Sequence, residues 1–207
     1  MRAKWGYKRL FVKRNSLVAL IFLKRRNNVK LKDIYNFDSN KYSPLRDSSI
    51  AVSKAYLDCN RFLDSCKEYL YIEEGMTNLS KIVHLQAHKA LERLDDFGNL
   101  LHERHLMQIY PETPMLDWRA EFKDLDSVVE FIIRTLENIQ EALEKFHENT
   151  DNAEFRAMAL KVEELMLDNS KDYTKFLEIG FRWQNDGGSK TSFDSWCKDY
   201  LEDEEDD

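Results

Sequence analysis

Residues that interrupt helices are scarce in this chain: three prolines and six glycines among 207 residues. All three prolines (Pro44, Pro111 and Pro114) fall outside the long periodic stretches, so no ring breaks those stretches from within. Cysteine is scarce and lacks metal-ligand spacing. Cys59, Cys66 and Cys197 are odd in number, and the first two, seven apart on a helix, stand about 10 Å apart along its axis, too far for a bridge. Reduced thiols and a cytoplasmic location are therefore expected. Long apolar runs are missing as well. SLVALIFL at 16–23 has eight residues, against the ~20 of a membrane span. KRR follows it instead of a small-residue cleavage site, so neither a membrane span nor a secretory signal is expected. A Gly-rich phosphate loop, a Gly-x-Ser-x-Gly elbow and the arginine-to-histidine spacing of HEPN-type bundle ribonucleases are also absent.

What is present is charge, unevenly placed. Residues 1–32 carry eleven Lys/Arg and no acid, whereas the rest of the chain sums to −18 within a net charge of −7. The last nine residues, DYLEDEEDD, hold seven acids. An acidic body repels nucleic acid over most of its surface, which confines any phosphate contact to residues 1–32. There Arg2, Lys4, Lys8, Arg9, Lys13, Arg14, Lys24, Arg25 and Arg26 are the candidate nucleic-acid-binding residues, with Trp5, Tyr7 and Phe11 as stacking groups. The same segment fits an organelle presequence, a surface β-hairpin around RRNN, or an overlong start. Val29 and Leu31 alternate with lysines and favour the hairpin.

Four segments carry helical periodicity. Val52, Tyr56, Cys59, Leu63, Cys66 and Leu70 step by four and three, after a cap at Asp47 or Ser48 and before a stop at Gly75. Val83, Ala87, Ala90, Leu94, Phe97 and Leu101 repeat the pattern between Thr77 and about Tyr110. Leu125, Val129, Ile132, Leu136, Ile139, Leu143 and Phe146 form the cleanest stripe, starting at Thr113-Pro114 or at the capping box Ser127-x-x-Glu130. Phe155, Ala159, Val162, Met166, Asn169, Tyr173 and Phe176 follow a second box at Asp151 and run to about Gly180. Thr191 caps a short final helix. Stripes of this period require near-parallel partners. The expected fold is all-α: an antiparallel four-helix bundle with connections of two to about six residues, and with Asn169 fixing register in the seam. The expected divisions are a basic segment at 1–40, the bundle at 41–200 and a disordered acidic tail at 201–207.

Chemistry-bearing residues are few. His84 and His88 at i, i+4 can place two imidazoles on one metal ion, but HLQAH lacks the glutamate of a zinc-protease motif. His102 and His105 form a second pair too distant to share that ion. Bundles that hold two iron ions use Glu-x-x-His on two helices. Only Glu144-x-x-His147 has that spacing, so a di-iron centre is not expected. Trp183, Phe193, Trp196 and Tyr200 either cap one end of the bundle or offer a partner-binding patch. The leading expectation is a non-catalytic, coiled-coil-like interaction or scaffold module without a cofactor, bound to a protein partner or to itself. The alternatives are an accessory nucleic-acid binder using the basic segment and a metal-binding bundle enzyme centred on His84 and His88.

Overall fold

A computed structural model describes residues 43–104, 106–150, 155–185 and 189–205, all within one compact unit, Phe37–Asp207. It contains α1 (Ser43–Ile72), α2 (Thr77–Glu103), the single-turn α3 (Trp118–Glu121), α4 (Leu125–Thr150), α5 (Arg156–Asn185) and α6 (Lys190–Glu205). No strand occurs among the described residues, and none of their helices is long and apolar enough to cross a membrane. The basic segment, with its expected hairpin and its candidate phosphate contacts from Arg2 to Arg26, lies outside the described residues.

The apolar stripes are the core. Every stripe residue of α1, α2 and α4 is buried, as are Val162, Asn169 and Phe176 on α5. Each fully buried large side chain contributes about 1.5–3 kcal/mol of transfer free energy. The all-α, antiparallel bundle expected from the sequence is the observed fold. Around the square, α1 packs on α2 and α4, and α5 packs on α4 and α2. Asn149 at the end of α4 donates to Ser48 Oγ at the start of α1 (3.1 Å), while Phe62 of α1 meets Phe131 early in α4 (centroids 5.6 Å). Adjacent helices therefore run antiparallel, and α2 and α4, on opposite corners, run parallel.

That parallel pair corrects the expected short connections. Because α4 starts at the far end from where α2 stops, residues 104–124 must travel the length of the bundle, about 39 Å at ~1.5 Å per residue. This is one long crossover within an otherwise up-and-down bundle. The second helix stops at Glu103, short of Tyr110, because the chain turns back along α2: Leu106 is buried, and Gln108 Nε2 donates to Leu94 O (3.0 Å). Leu116, Trp118 and Phe122 then pack on the core, the last two edge-on to Tyr69 (5.9 and 5.5 Å). Thr113-Pro114 opens no helix, and the first helical turn after it, α3, begins only at Trp118.

Local boundaries differ for equally specific reasons. α1 begins at Ser43-Pro44, where proline suits a first turn, and Ser48 is mid-helix with its Oγ donating to Pro44 O (2.9 Å). The box that starts α4 sits three residues early: Asp124 Oδ1 accepts from Ser127 N (2.9 Å) and Ser127 Oγ from Asp124 N (3.2 Å). Those donors from Ser127 hold the Asp124 carboxyl below the ordinary carboxylate range. Gly75 (φ 69°) ends α1 as expected, with Met76 N donating to Leu70 O (2.9 Å). Gly180 does not end α5, which runs on to Asn185. A Cβ there would lie 3.1 Å from Val129 Cγ1, so this glycine serves close packing on α4. The box expected at Asp151 lies outside the described residues, and α5 is described from Arg156.

α6 closes one end. Asp194 Oδ1 accepts from the backbone N–H groups of Asn78 and Leu79 (2.9 and 3.0 Å), so a carboxylate from α6 satisfies orphan donors at the start of α2. The helix takes in most of the acidic run, to Glu205.

Candidate metal centre and the polar interior

The two-turn register of α1 against α2 is fixed by Asn60 Nδ2 donating to Ala87 O (3.0 Å). On either side of that bond, one turn apart, α2 presents His84 and His88. Their Nε2 atoms lie 3.2 Å from one another, and the rings meet edge-on at 4.5 Å. From α1, Asp64 Oδ1 stands 3.3 Å from His84 Nδ1, and Lys67 Nζ lies 3.8 Å from the same oxygen. A carboxylate on Nδ1 favours the tautomer that leaves the Nε2 lone pair free for a metal ion. With metal–nitrogen bonds of ~2.0–2.1 Å, two nitrogens on one ion stand about 3.3 Å apart at a tetrahedral angle and about 2.9 Å at a right angle. The observed 3.2 Å, which is also a hydrogen-bonding distance between the two rings, falls within that range. His84 is half-buried and His88 exposed, so the pair faces the outside of the bundle with positions open for further ligands. Among the described residues no group of three or more His, Cys, Asp and Glu side chains is arranged to hold a metal ion.

The other candidates do not converge. His102 is exposed near the end of α2, and His105 lies outside the described residues. Glu144 Oε1 accepts from Gln140 Nε2 (3.1 Å), and His147 Nε2 lies 3.0 Å from Glu163 Oε1 on the surface. Between the ends of α2 and α5 a cavity of about 310 Å³ is lined by Asp96, Glu103, Glu164 and Asp168, with Lys161 (3.0 Å from Glu164) among them. Phe193 is buried, and Trp183, Trp196 and Tyr200 are half-buried around it. Centroid distances run from 5.3 to 5.9 Å along that chain of rings, and Arg182 and Lys175 lie over Trp196 and Tyr200.

The interior holds a polar group that the sequence reading missed. Asp172 of α5 is buried, and its Oδ2 accepts from both Arg93 Nη1 and Gln86 Nε2 of α2, the latter at 2.6 Å. Arg93 Nη2 also reaches Asp168 O (3.4 Å). Asn169, one turn earlier on α5, donates to Leu136 O (3.0 Å) and Gln140 Oε1 (3.2 Å), the register-fixing role expected of it. Ser53 Oγ, Tyr56 Oη and Gln86 Oε1 are buried without a partner among the described residues. Burial pushes the Tyr56 phenol upward, with Arg93 opposing and Asp172 assisting. The only trace in the sequence is positional: Gln86 and Arg93 are seven apart beside the α2 seam, and Asp172 falls three after Asn169 in the α5 seam.

All three cysteines are free and buried. Burial pushes the thiols of Cys59 and Cys197 up to about 12, and that of Cys66 well above its ordinary value. A thiol-specific reagent at pH 8 should therefore label none of them in the folded chain and all three in denaturant. Rapid labelling of a native thiol contradicts this burial.

No family model matches the chain, and no curated protein matches it in sequence. Solved structures do match in shape. The apo-ferritin of Pseudo-nitzschia multiseries aligns at a TM-score of 0.69 and 13% identity, covering 74% of this chain and 98% of that one. Two variants of PmFTN, each soaked in iron for 45 min, align at 0.68 and 0.69 with 12% and 13% identity, covering 75% and 74% of this chain and 97% and 98% of theirs. The fold is that of a ferritin-like four-helix bundle. This likeness overturns the expected coiled-coil interaction or scaffold module, because the bundles it matches are ferritins, several of them soaked in iron. The heptad stripes misled because they encode near-parallel packing, which a crossover bundle shares with a coiled coil. Nor does the ferritin likeness lend support to nucleic-acid binding.

Ferritin-like di-iron bundles bring a Glu from each of two helices and a Glu-x-x-His from each of the others inward. The inward residues here are Ser53, Tyr56, Cys59, Gln86, Ala90, Arg93, Leu136, Ile139, Asn169 and Asp172. Among the described residues Asp172 is the one buried acidic residue, and it is already paired with a guanidinium. This donor set does not fit a di-iron centre.

Proposed function

We propose that this chain is a metal-ion-binding ferritin-like bundle whose ion sits outside the core, held through Nε2 of His84 and His88, with Asp64 orienting His84. The observation that carries the reading is the 3.2 Å separation of those two nitrogens, with a carboxylate behind one of them. Imidazole donors suit divalent zinc, copper, iron and nickel, and the likeness to iron-soaked ferritins puts ferrous iron first. When bound, such an ion supplies a fixed positive charge and exchangeable coordination positions. Equilibrium dialysis against ferrous iron without oxygen, and separately against zinc, should yield one ion per chain by elemental analysis. A chain that emerges metal-free from both defeats the proposal.

Self-association belongs to the same reading. Leu160, Leu167, Leu177 and Phe181 are exposed within about 100° of arc on α5, interleaved with polar residues such as Glu163 and Glu178, a mixed face of the kind that self-association can use, and light scattering of the purified chain reads its mass. The buried free thiols support a reducing, cytoplasmic setting.

A further inference from the structure

We propose that Arg93 does inside this bundle what a bound metal ion does in a carboxylate bundle: its guanidinium is the built-in cation that neutralises Asp172 and ties α2 to α5, so that no dinuclear centre forms between the helices. Three observations meet at this point. Asp172 is buried, and a carboxylate in such a place is costly without a positive partner close by. Arg93, only 14% exposed at its side chain, donates to Asp172 Oδ2 and to Asp168 O through separate nitrogens. Arginine keeps its charge at any working pH, and its planar fork spans two acceptors on neighbouring turns of α5. Gln86, seven residues earlier on the same face of α2, adds a neutral donor to the same oxygen.

Charge then excludes a second cation. The orphaned oxygens of Tyr56 and Gln86 are donor atoms that a hard ion accepts, and Asp172 is a carboxylate ligand type. Arg93 stands among them, however, with a full positive charge at hydrogen-bond distance from the one carboxylate. An incoming divalent ion has to displace the guanidinium into a low-dielectric interior, where like charges repel strongly. The fold thus keeps the architecture of a metal-holding bundle while an amino-acid side chain supplies the interior charge.

The test uses the full chain with His84→Ala and His88→Ala, which removes the exterior pair and so separates this inference from the proposed function. In that background, elemental analysis after equilibration with cobalt(II) should find no bound ion. Adding Arg93→Met should lower the Tm by roughly 10 °C, because Asp172 is left buried and unpaired. Adding Asp172→Asn to Arg93→Met should recover at least half of that loss. One or more equivalents of cobalt bound beside Asp172 in the background lacking His84 and His88, or a Tm unmoved by Arg93→Met, overturns the inference. If Arg93→Met fails to fold, the recovery in the double variant and the cobalt stoichiometry still decide it.

Discussion

Phe146→Ala should cost the folded chain about 3–5 kcal/mol, the range for deleting a fully buried aromatic ring. Phe146 on α4 is fully buried and meets Phe97 of α2 edge to face, at 5.0 Å and 77°. These two helices stand on opposite corners of the square, so the two rings fill the centre line between them. Alanine leaves a void that four near-parallel rods cannot close by sliding, and it forfeits the edge-to-face contact as well. For a chain of this length each kcal/mol moves the Tm by about 2–4 °C, so a fall of about 6–20 °C is expected. Equilibrium unfolding in urea is the check. A loss below about 1 kcal/mol means that Phe146 does not lie at the centre and that the diagonal arrangement of α2 and α4 is wrong.

His84→Ala should reduce affinity for zinc or ferrous iron by more than the 10–100-fold that loss of an orienting partner costs. The substitution removes one of the two Nε2 donors outright and abolishes the chelate, leaving His88 as a lone exposed imidazole. Asp64→Asn should cost about 10–100-fold, because the amide still accepts from Nδ1 but no longer raises the basicity of the ring. Binding should weaken in acid for every variant, since protons compete with the ion for imidazole nitrogen. Competition titration against a chromophoric chelator ranks the three proteins. Equal affinity of wild type and His84→Ala places the ion elsewhere.

The stripes made the core legible because a buried helix face must be apolar at every third or fourth position, and the positions from Val52 to Leu70 and from Leu125 to Phe146 obey that constraint without exception. The i, i+4 histidine pair was legible for the same geometric reason. Chain direction was not. A heptad stripe is the same whether its neighbour runs parallel or antiparallel, so only the length of 104–124 carried the crossover, and a second helix expected to reach about Tyr110, with a new start at Thr113-Pro114, hid that length. Gly180 was misread because close helix packing and helix termination both call for a residue without a Cβ. Arg93 and Asp172 escaped because each alone resembles an ordinary surface charge on a charged helix. Their meaning appears only when two stretches of chain 79 residues apart are brought together.

Anomalous diffraction from crystals of the full chain soaked in cobalt(II) is the most direct measurement of where this bundle places a cation. The expected map has a peak between the Nε2 atoms of His84 and His88 and none beside Asp172. A peak between the helices next to Asp172, with Arg93 swung away and the histidine pair empty, would contradict both the exterior site and the built-in cation.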